Sequence, residues 1–225
     1  MSFIVIALDG PAGAGKGTLG RHLAHIFNLD FLDTGLLYRA IALRLIAEGK
    51  DDFDKTSALR IAHSLSLKSL THPSLRDEKV SNLASQVATD PEVRRILLDF
   101  QRNFAKSPAP GKQGVILDGR DIGTEVLPLA PCKIYVLASP EVRAERRLKE
   151  LHKNGINSIY KTVLEDIKAR DNRDQTRKVS PLRPAKDAFI LDTSELSIDE
   201  VVENACLYVE SRFPNALKIT SSSLK

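Results

Sequence analysis

The sequence has no tryptophan and only two cysteines among its 225 residues. Cys132 and Cys206 are too few for a disulfide framework or for a cysteine-rich zinc site. One lies in an apolar stretch typical of a strand, and the other lies on the apolar side of a late helix. We therefore expect two reduced, packed thiols, as is typical of a cytoplasmic protein.

Long hydrophobic runs are also absent. No stretch approaches the roughly eighteen apolar residues of a membrane-spanning helix, and the apolar start at residues 3–8 is too short for the hydrophobic region of a signal peptide. Apolar residues still make up 42% of the chain, which is enough for a substantial core. These features predict a soluble, intracellular protein without a membrane partner.

A strong charge of one sign is missing as well. The 33 Lys and Arg residues outnumber the 29 Asp and Glu residues only slightly, for a net charge of +4. No basic tract or aromatic stacking surface accompanies this excess, so we expect no nucleic-acid partner. The same surplus suits small polyanionic ligands, provided that the arginines converge on one cleft.

The most informative segment that is present is DGPAGAGKGT, which directly follows the apolar run at residues 3–8. That run predicts a buried parallel strand, and the helical spacing of Leu19, Leu23 and Phe27 predicts a helix after the glycines. Glycines let the backbone approach phosphate oxygens, and Lys16 brings a positive charge to the β and γ phosphates. The segment therefore predicts an ATP site. Its residues are Gly10, Pro11, Ala12, Gly13, Ala14, Gly15, Lys16, Gly17 and Thr18.

The segment departs from the usual pattern at the position after the lysine. Gly17 stands where a serine or threonine hydroxyl normally occurs, and Thr18 comes one position later. Asp118, at the end of a second apolar strand, is placed to bind magnesium directly or through water, although an ordinary Asp-Gly turn is the alternative. Thr18 and Asp118 are the predicted protein ligands of Mg²⁺.

Apolar strands alternate with amphipathic helices along the chain, and polar residues follow the strands. This alternation predicts an α/β fold with a parallel doubly wound sheet flanked by helices, whose ligands gather at the carboxyl edge. We expect a single P-loop domain over residues 1–225, with an inserted subdomain at 50–90, where the apolar periodicity weakens. A helical lid at 146–160 and a loose tail at 214–225 complete the prediction.

Arginines recur near the end of a charged helix predicted at residues 158–172. Arg170, Arg173 and Arg177 share one face if the helix continues that far. An exposed helix with weak ion pairs, such as Arg170 with Asp174, would also explain the spacing. Three arginines within two turns repel one another unless an anion lies between them, however, which favours a phosphate-binding face.

Several segments together resemble the bacterial cytidylate kinase (CMP kinase) family of P-loop nucleoside monophosphate kinases. They are DGPAGAGKGTLG, LDTGLLYRA, SNLASQVATDPEVR, ILDGRDIGTEVLP, KIYVLAS and IKARDNRDQTRKVSPL, in the family's order. The resemblance covers nearly the whole chain. It implies transfer of the γ-phosphoryl group of MgATP to CMP or dCMP.

The resemblance also implies which residues bind the acceptor. The counterparts of Arg39 and Arg120 bind the phosphate of the nucleoside monophosphate, and those of Ser85 and Arg94 contact the cytosine ring. Without the resemblance, Arg94 would be assigned to the solvent face of its helix. Bacterial members often carry an antiparallel sheet in the monophosphate-binding insertion, and residues 50–81 are too few for a full version of it.

Further counterparts of family residues line the implied site. Those of Arg170 and Asp174 approach the ribose, and that of Arg177 lies near the base and the phosphates. Asp33, Tyr38, Asp118 and Asp121 also match family positions that line the site, and all of them except Asp118 belong to the predicted substrate-binding set. The residues predicted to be catalytic are Lys16, Arg120, Asp121, Arg170 and Arg173.

Histidine is absent from all of these clusters. A monophosphate with a second pKa of about 6 is already mostly dianionic near neutrality, so no general base is required. Catalysis would then rest on magnesium, Lys16 and the arginines.

A kinase for another small acceptor, such as UMP, AMP or shikimate, is the main alternative, whereas a GTPase would need an N-K-x-D motif that the chain lacks. We expect a monomer, because no surplus apolar helix face stands out.

Overall fold

The structure is a computed structural model that describes residues 3–153, 155–216 and 218. Asn154 of the predicted lid and most of the predicted tail lie outside these residues. The helices in the described part of the chain all lack the length and apolar character that a bilayer crossing requires.

The chain divides into two compact units. The first combines Met1–Leu32 with Pro108–Lys225, and the second is Asp33–Ser107. The insertion predicted at 50–90 lies inside the second unit, which begins earlier and ends later in the sequence.

A five-stranded sheet forms the centre of the fold. Its order is β2-β3-β1-β4-β5, and β1 pairs in parallel with both β3 and β4, while β4 pairs in parallel with β5. Because β1 is central, both of its faces are covered, which explains its continuous apolar sequence. The predicted parallel α/β fold is confirmed. The strands are β1 (Ile4–Asp9), β2 (Leu29–Asp33), β3 (Gly114–Asp118), β4 (Cys132–Leu137) and β5 (Phe189–Asp192).

Eight α-helices occur in the described residues, together with a π-helical turn at Ile122–Val126. The helices are α1 (Lys16–Ile26), α2 (Gly35–Ala47), α3 (Lys55–His63), α4 (Glu78–Val87), α5 (Pro91–Lys106), α6 (Pro140–Lys153), α7 (Tyr160–Thr176) and α8 (Ile198–Arg212). The sequences Asp90-Pro91-Glu92 and Ser197-Ile198-Asp199-Glu200 predict helix N-caps, and both are confirmed. Asp90 accepts two backbone N–H groups of α5, and Ser197 and Glu200 form a capping box on α8.

One face of the sheet packs against α1 and α8. Leu8 of β1, Leu23 of α1 and Val209 of α8 belong to one buried cluster, which also contains Cys132 and Cys206. Both cysteines are unbridged, as predicted. Burial raises the pKa of the Cys132 thiol to about 12 and also raises the pKa of Cys206.

α6 and α7 pack on each other through a smaller buried cluster. Its members are Ala144, Leu151, Val163 and Ile167. The predicted lid at 146–160 contains the end of α6, Gly155 with a φ of 74°, and the start of α7.

α7 does not carry all three of the predicted arginines. It ends at Thr176, because the carbonyl of Asp174 accepts the N–H of Leu182 at 2.8 Å and the returning chain replaces the next helical turn. Arg177 is extended, with φ −61° and ψ 140°. The condition that the helix continues through Arg177 is therefore not met.

The second unit is built from α2, α3, α4 and α5 around its own core. Residues 34–107, all of which the structure describes, contain no strand. The antiparallel sheet common in the family's insertion is thus missing from this stretch, as its length predicted. The core includes Leu37, Ile41, Leu45, Ile61, Leu83, Val87, Val93 and Leu97.

Candidate active site

The loop between β1 and α1 has the backbone that phosphate binding requires. Gly10 has a φ of 144°, and a side chain there would place Cβ 1.9 Å from the carbonyl oxygen of Val136, so only glycine fits. Gly15 precedes α1 with a φ of 90°, and no side chain caps this helix N-terminus. The first turn of α1 therefore combines backbone N–H groups with the positive end of the helix dipole, which attracts anions.

Lys16 is held inside this loop, with only 5% of the residue exposed. Its Nζ donates to the carbonyl oxygen of Pro11 at 2.9 Å and lies 3.8 Å from Oδ1 of Asp118. A nearby carboxylate stabilises a buried ammonium group. The lysine predicted to bind ATP and the carboxylate predicted to bind magnesium are therefore neighbours.

Asp118 is buried at the end of β3. The N–H of Gly119 donates to the carbonyl of Leu8 at 2.9 Å, which ties this strand end to β1. A side chain at Gly17 would lie 3.6 Å from Oδ2 of Asp118. Thr18, the other predicted ligand, is partly buried in the first turn of α1. The described residues contain no group of three or more His, Cys, Asp or Glu side chains suited to a metal, so a magnesium ion here would also need oxygens from nucleotide or water.

Two of the predicted site arginines form ion pairs with predicted site aspartates. Arg120 follows β3, and Arg177 follows α7. Arg120 donates from Nε to Oδ2 of Asp174 at 3.1 Å. Arg177 has Nη2 3.8 Å from Oδ1 of Asp121, and its Nε donates to the carbonyl of Ser180. The structure thus links four residues from separate segments of the chain.

Asp174 is the centre of this group. Burial acts to raise the pKa of its carboxyl, but Arg120, Arg170 and Arg177 together hold the pKa below its ordinary value. Arg170 therefore belongs to the same cluster. Arg173 does not, since it is exposed and forms no ion pair within the described part of the chain.

Asp9 is a buried carboxylate at the site. The sequence analysis gave it no role beyond its place in the glycine-rich segment. It ends β1, and its two carboxylate oxygens accept the N–H groups of Ile122 and Gly123, each at 2.7 Å. Burial is the main cause that raises its pKa to about 7, and Asp121 adds to the rise, while the two N–H groups and Lys16 oppose it. A buried residue at a strand end could have been found from the sequence, but its partners, more than a hundred residues away, could not.

Arg143 is a second residue that the sequence did not identify. Its guanidinium forms a two-pronged ion pair with Asp171 of α7, at 2.9 Å and 2.5 Å. It also donates to the carbonyl oxygens of Ala138 and Ala12, the latter within the phosphate loop. Arg143 thus connects α7 to the loop backbone.

Tyr135 of β4 lies near the charged groups of Asp9, Arg120 and Arg143. It is paired in register with Asp9 on the neighbouring strand. Burial chiefly raises the pKa of its hydroxyl, and the charges of Asp9, Arg120 and Arg143 also act on it. The carboxyl ends of β1 and β4 therefore meet the two arginine pairs at the same edge of the sheet.

The second unit contains the residues that the family resemblance assigned to the acceptor. Arg39 on α2 donates to the carbonyl of Leu75 and to the hydroxyl of Ser81, each at 2.9 Å. Ser85, one turn further along α4, donates to the carbonyl of Ser81 at 3.1 Å. Ser81 therefore links two of the predicted acceptor residues.

Arg94 and Tyr38 form a second pair within this unit. The guanidinium of Arg94 lies 5.8 Å from the centroid of the Tyr38 ring, a cation–π distance. Arg94 is only 9% exposed, so the alternative that places it on the solvent face of its helix is wrong. Asp33 accepts the N–H of Gly35 at 3.1 Å at the start of α2.

The strand order, the glycine loop with its buried lysine and the carboxylate at the neighbouring strand end define the class of the protein. It is a P-loop α/β protein of the kind that binds nucleotide phosphates.

Comparison with known proteins identifies the family. The sequence profile described as cytidylate kinase matches residues 6–211. A cytidylate kinase from Paramagnetospirillum magneticum is 51% identical over 208 residues, covering 92% of this chain and 98% of that protein. One from Methylocella silvestris is 49% identical over 208 residues, with 92% and 94% covered. The chain belongs to the cytidylate kinase family.

A solved structure is similar in fold alone. An uncharacterized protein from Eubacterium ventriosum has a TM-score of 0.54 at 16% identity, with 92% of this chain and 99% of that chain covered.

Proposed function

We propose that this protein transfers the γ-phosphoryl group of MgATP to CMP or dCMP, giving ADP and CDP or dCDP. The observation that carries the proposal is the cluster of Arg120, Arg170 and Arg177 around Asp174, in the unit that also contains the phosphate loop. Three arginines beside two aspartates leave a positive charge in the cluster, which favours an anionic ligand. Membership of the cytidylate kinase family supplies the identity of that ligand.

On the donor side, residues 10–18 would bind the phosphates of ATP through backbone N–H groups. Lys16 would offset the charge of the β and γ phosphates. Asp118 and Thr18 would hold Mg²⁺, which supplies a positive charge that stabilises the transferred group. The buried carboxylate of Asp118, beside Lys16, is the kind of oxygen ligand that magnesium prefers.

On the acceptor side, Arg120, which belongs to the first unit, would bind the phosphate of the monophosphate. Arg170, Asp174 and Arg177 would contact the ribose and phosphates. Asp121 would orient this group through Arg177. An Arg–phosphate contact is frequently two-pronged, which fixes direction as well as charge.

Within the second unit, Arg39 would bind the acceptor phosphate, and Ser85 and Arg94 would contact the cytosine ring. A site built to form hydrogen bonds with one base rejects the base that leaves its polar groups unpaired. Asp33 and Tyr38 complete the proposed set, Tyr38 through the ring that lies beside Arg94.

The chemistry needs no general base from the protein. A monophosphate with a second pKa of about 6 is mostly dianionic at neutral pH. The protein must instead bring two anions together and stabilise the charge spread over the transferred group. Buried Lys16 and partly buried Arg120 suit this task because their charges act in a poorly hydrated environment.

We also propose that the segment at 146–160 and the start of α7 act as a lid, with Arg170 and Arg173 completing the phosphate contacts. Arg173 is exposed, so it would engage only on closure. Arg173→Ala should then lower turnover much more than ATP affinity, and equal losses in both would argue against a closing lid.

An acceptor panel tests the function directly. A coupled assay of ADP release, run with CMP, dCMP, UMP, AMP and shikimate at equal concentrations, should give the highest kcat/KM with CMP or dCMP. Preference for another acceptor would contradict the proposal. The protein is also proposed to act as a cytoplasmic monomer, and a dimer mass in light scattering would contradict the monomer.

A further inference from the structure

We propose that Asp9 is a positioning residue that sets the placement of Arg120 and Asp121 relative to the phosphate loop. It is the last residue of β1, and Gly10 of the loop follows it directly. Its side chain holds the backbone that immediately follows Asp121. One residue thus joins the donor loop to the segment that carries two proposed acceptor residues.

The π-helical turn shows why this contact determines the position of the segment. The first N–H groups of any helix lack partners inside it, and the preceding Asp side chain normally supplies one. Asp121 occupies that position but makes no capping hydrogen bond. Asp9 accepts the N–H groups of Ile122 and Gly123 instead, one on each carboxylate oxygen. The carboxylate of Asp121 is thereby left to lie near Arg177.

Asp9 and the backbone of Gly123 are closely packed. A side chain at Gly123 would lie 3.3 Å from Oδ2 of Asp9 and 3.2 Å from the Lys133 stem. The ammonium group of Lys133 is directed elsewhere, donating to Pro128 and Asp187. Asp9 itself forms no ion pair with any residue that the structure describes.

A buried carboxylate without an ion pair is a costly way to anchor a turn. The raised pKa of Asp9, caused chiefly by burial, reflects that cost. An asparagine would accept only one of the two N–H groups and would direct its own NH₂ group toward the other. The two-fold acceptor is therefore what the geometry requires, and the segment it fixes is the one that carries Arg120.

Asp9→Asn is the principal test, and it rests on the proposed function. The variant should lower kcat/KM for CMP at least tenfold while the Kd for ATP changes less than threefold. Asp54→Asn is the matched control, because Asp54 also accepts a backbone N–H at a helix N-terminus, on α3, and has no proposed role in the reaction. It should leave both quantities within twofold of the wild-type values.

A double-mutant cycle with Arg120→Ala separates positioning from general damage. If Asp9 acts through this segment, the double variant Asp9→Asn, Arg120→Ala should have a kcat/KM for CMP less than threefold below that of Arg120→Ala alone. Independent losses that multiply would overturn the inference, as would a loss of ATP affinity equal to the loss in kcat/KM.

Two further outcomes keep the inference and the proposed function apart. A folded wild-type protein that fails to phosphorylate CMP and dCMP would reject the function, whereas an active wild type with an equally active Asp9→Asn variant would reject the inference alone. Asp9→Ser, which keeps one acceptor, guards against a folding defect. If neither variant folds by circular dichroism, Asp9 is a stability residue and the positioning role is wrong.

Discussion

α7 presents two aspartates three residues apart, and each meets an arginine in a different way. Asp171 pairs with Arg143 through two contacts, and their side chains are only 14% and 3% exposed. Asp174 pairs with Arg120 through a contact of 3.1 Å between Oδ2 and Nε, and each side chain is 20% exposed. The first pair is therefore the more deeply buried of the two.

The difference in burial implies a division of roles. Arg143 also contacts the carbonyl of Ala12 in the phosphate loop, so its pair with Asp171 links α7 to that loop. A planar guanidinium held on several sides cannot turn toward a substrate. Arg120 and Asp174 are more exposed than Arg143 and Asp171, so a phosphate or a ribose can reach them more readily.

Removal of Arg120 should have the largest effect on catalysis. Arg120→Ala is expected to lower kcat about 10³-fold, since a single arginine that stabilises a transferred phosphoryl group contributes at least that factor. The free energy of unfolding should fall less than it does for Arg143→Ala, because both side chains of this pair are 20% exposed, whereas that of Arg143 is 3% exposed. Steady-state kinetics and urea unfolding measure the two effects, with Arg147→Ala on α6 as the control. A stability loss as large as that of Arg143→Ala would erase the distinction between the pairs.

Removal of Arg143 should act on stability. Arg143→Ala leaves Asp171 buried without its partner and is expected to lower the free energy of unfolding by about 3 kcal/mol. The double variant Arg143→Met, Asp171→Leu should recover most of that loss, because apolar replacements remove both buried charges.

The control for this second prediction is Arg60→Ala. Arg60 also binds its partner, Glu48, through two short contacts, but 57% of its side chain is exposed. Its removal should cost less than about 1 kcal/mol. Equal losses for Arg60 and Arg143 would show that burial does not distinguish the two pairs.

Asp174→Asn should have a smaller effect that depends on the sugar. Loss of a charged partner for the ribose hydroxyls is expected to lower kcat/KM for CMP roughly tenfold. dCMP lacks the 2′-hydroxyl, so its kcat/KM should fall less. Initial rates with both acceptors test the assignment, and identical losses would argue that Asp174 serves only to hold Arg120.

The smallest expected effect is on stability in acid. The pKa of Asp174 lies below its ordinary value of 3.8, despite burial, because of Arg120, Arg170 and Arg177. The unfolded chain therefore takes up this proton first as the pH falls, so the stabilisation is complete above about pH 4 and is lost below it. Urea unfolding between pH 3 and 6 should show a shallower acid decline for Asp174→Asn. A decline as steep as that of the wild type would contradict the pKa shift.

The sequence alone predicted the elements that local spacing determines. The apolar run before the glycines gave β1, and Asp90 and Ser197 marked the starts of α5 and α8, because capping uses residues only two or three positions apart. The resemblance to the cytidylate kinase family, rather than local spacing, supplied most of the predicted acceptor residues. Their roles remain predictions.

Contacts between segments far apart in the chain could not be predicted from the sequence. The pairing of Asp9 with Ile122 spans 113 positions, and no periodicity connects them. The end of α7 was predicted at about residue 172, whereas the helix continues to Thr176. There the N–H of Leu182 donates to the carbonyl of Asp174, a contact that the sequence could not predict. Arg94 was ambiguous until its burial against Tyr38 was visible, because helical spacing does not say which face a neighbouring helix covers.

The burial of Cys132 and Cys206 has a practical consequence for studying motion in this protein. Thiolates, rather than thiols, react with maleimides, and burial keeps the protonated form of both residues at neutral pH. A cysteine introduced on an exposed part of α7 would therefore accept a fluorescent dye without prior removal of the native ones. The proposed closure of the lid could then be followed during turnover in a chain that keeps its native cysteines.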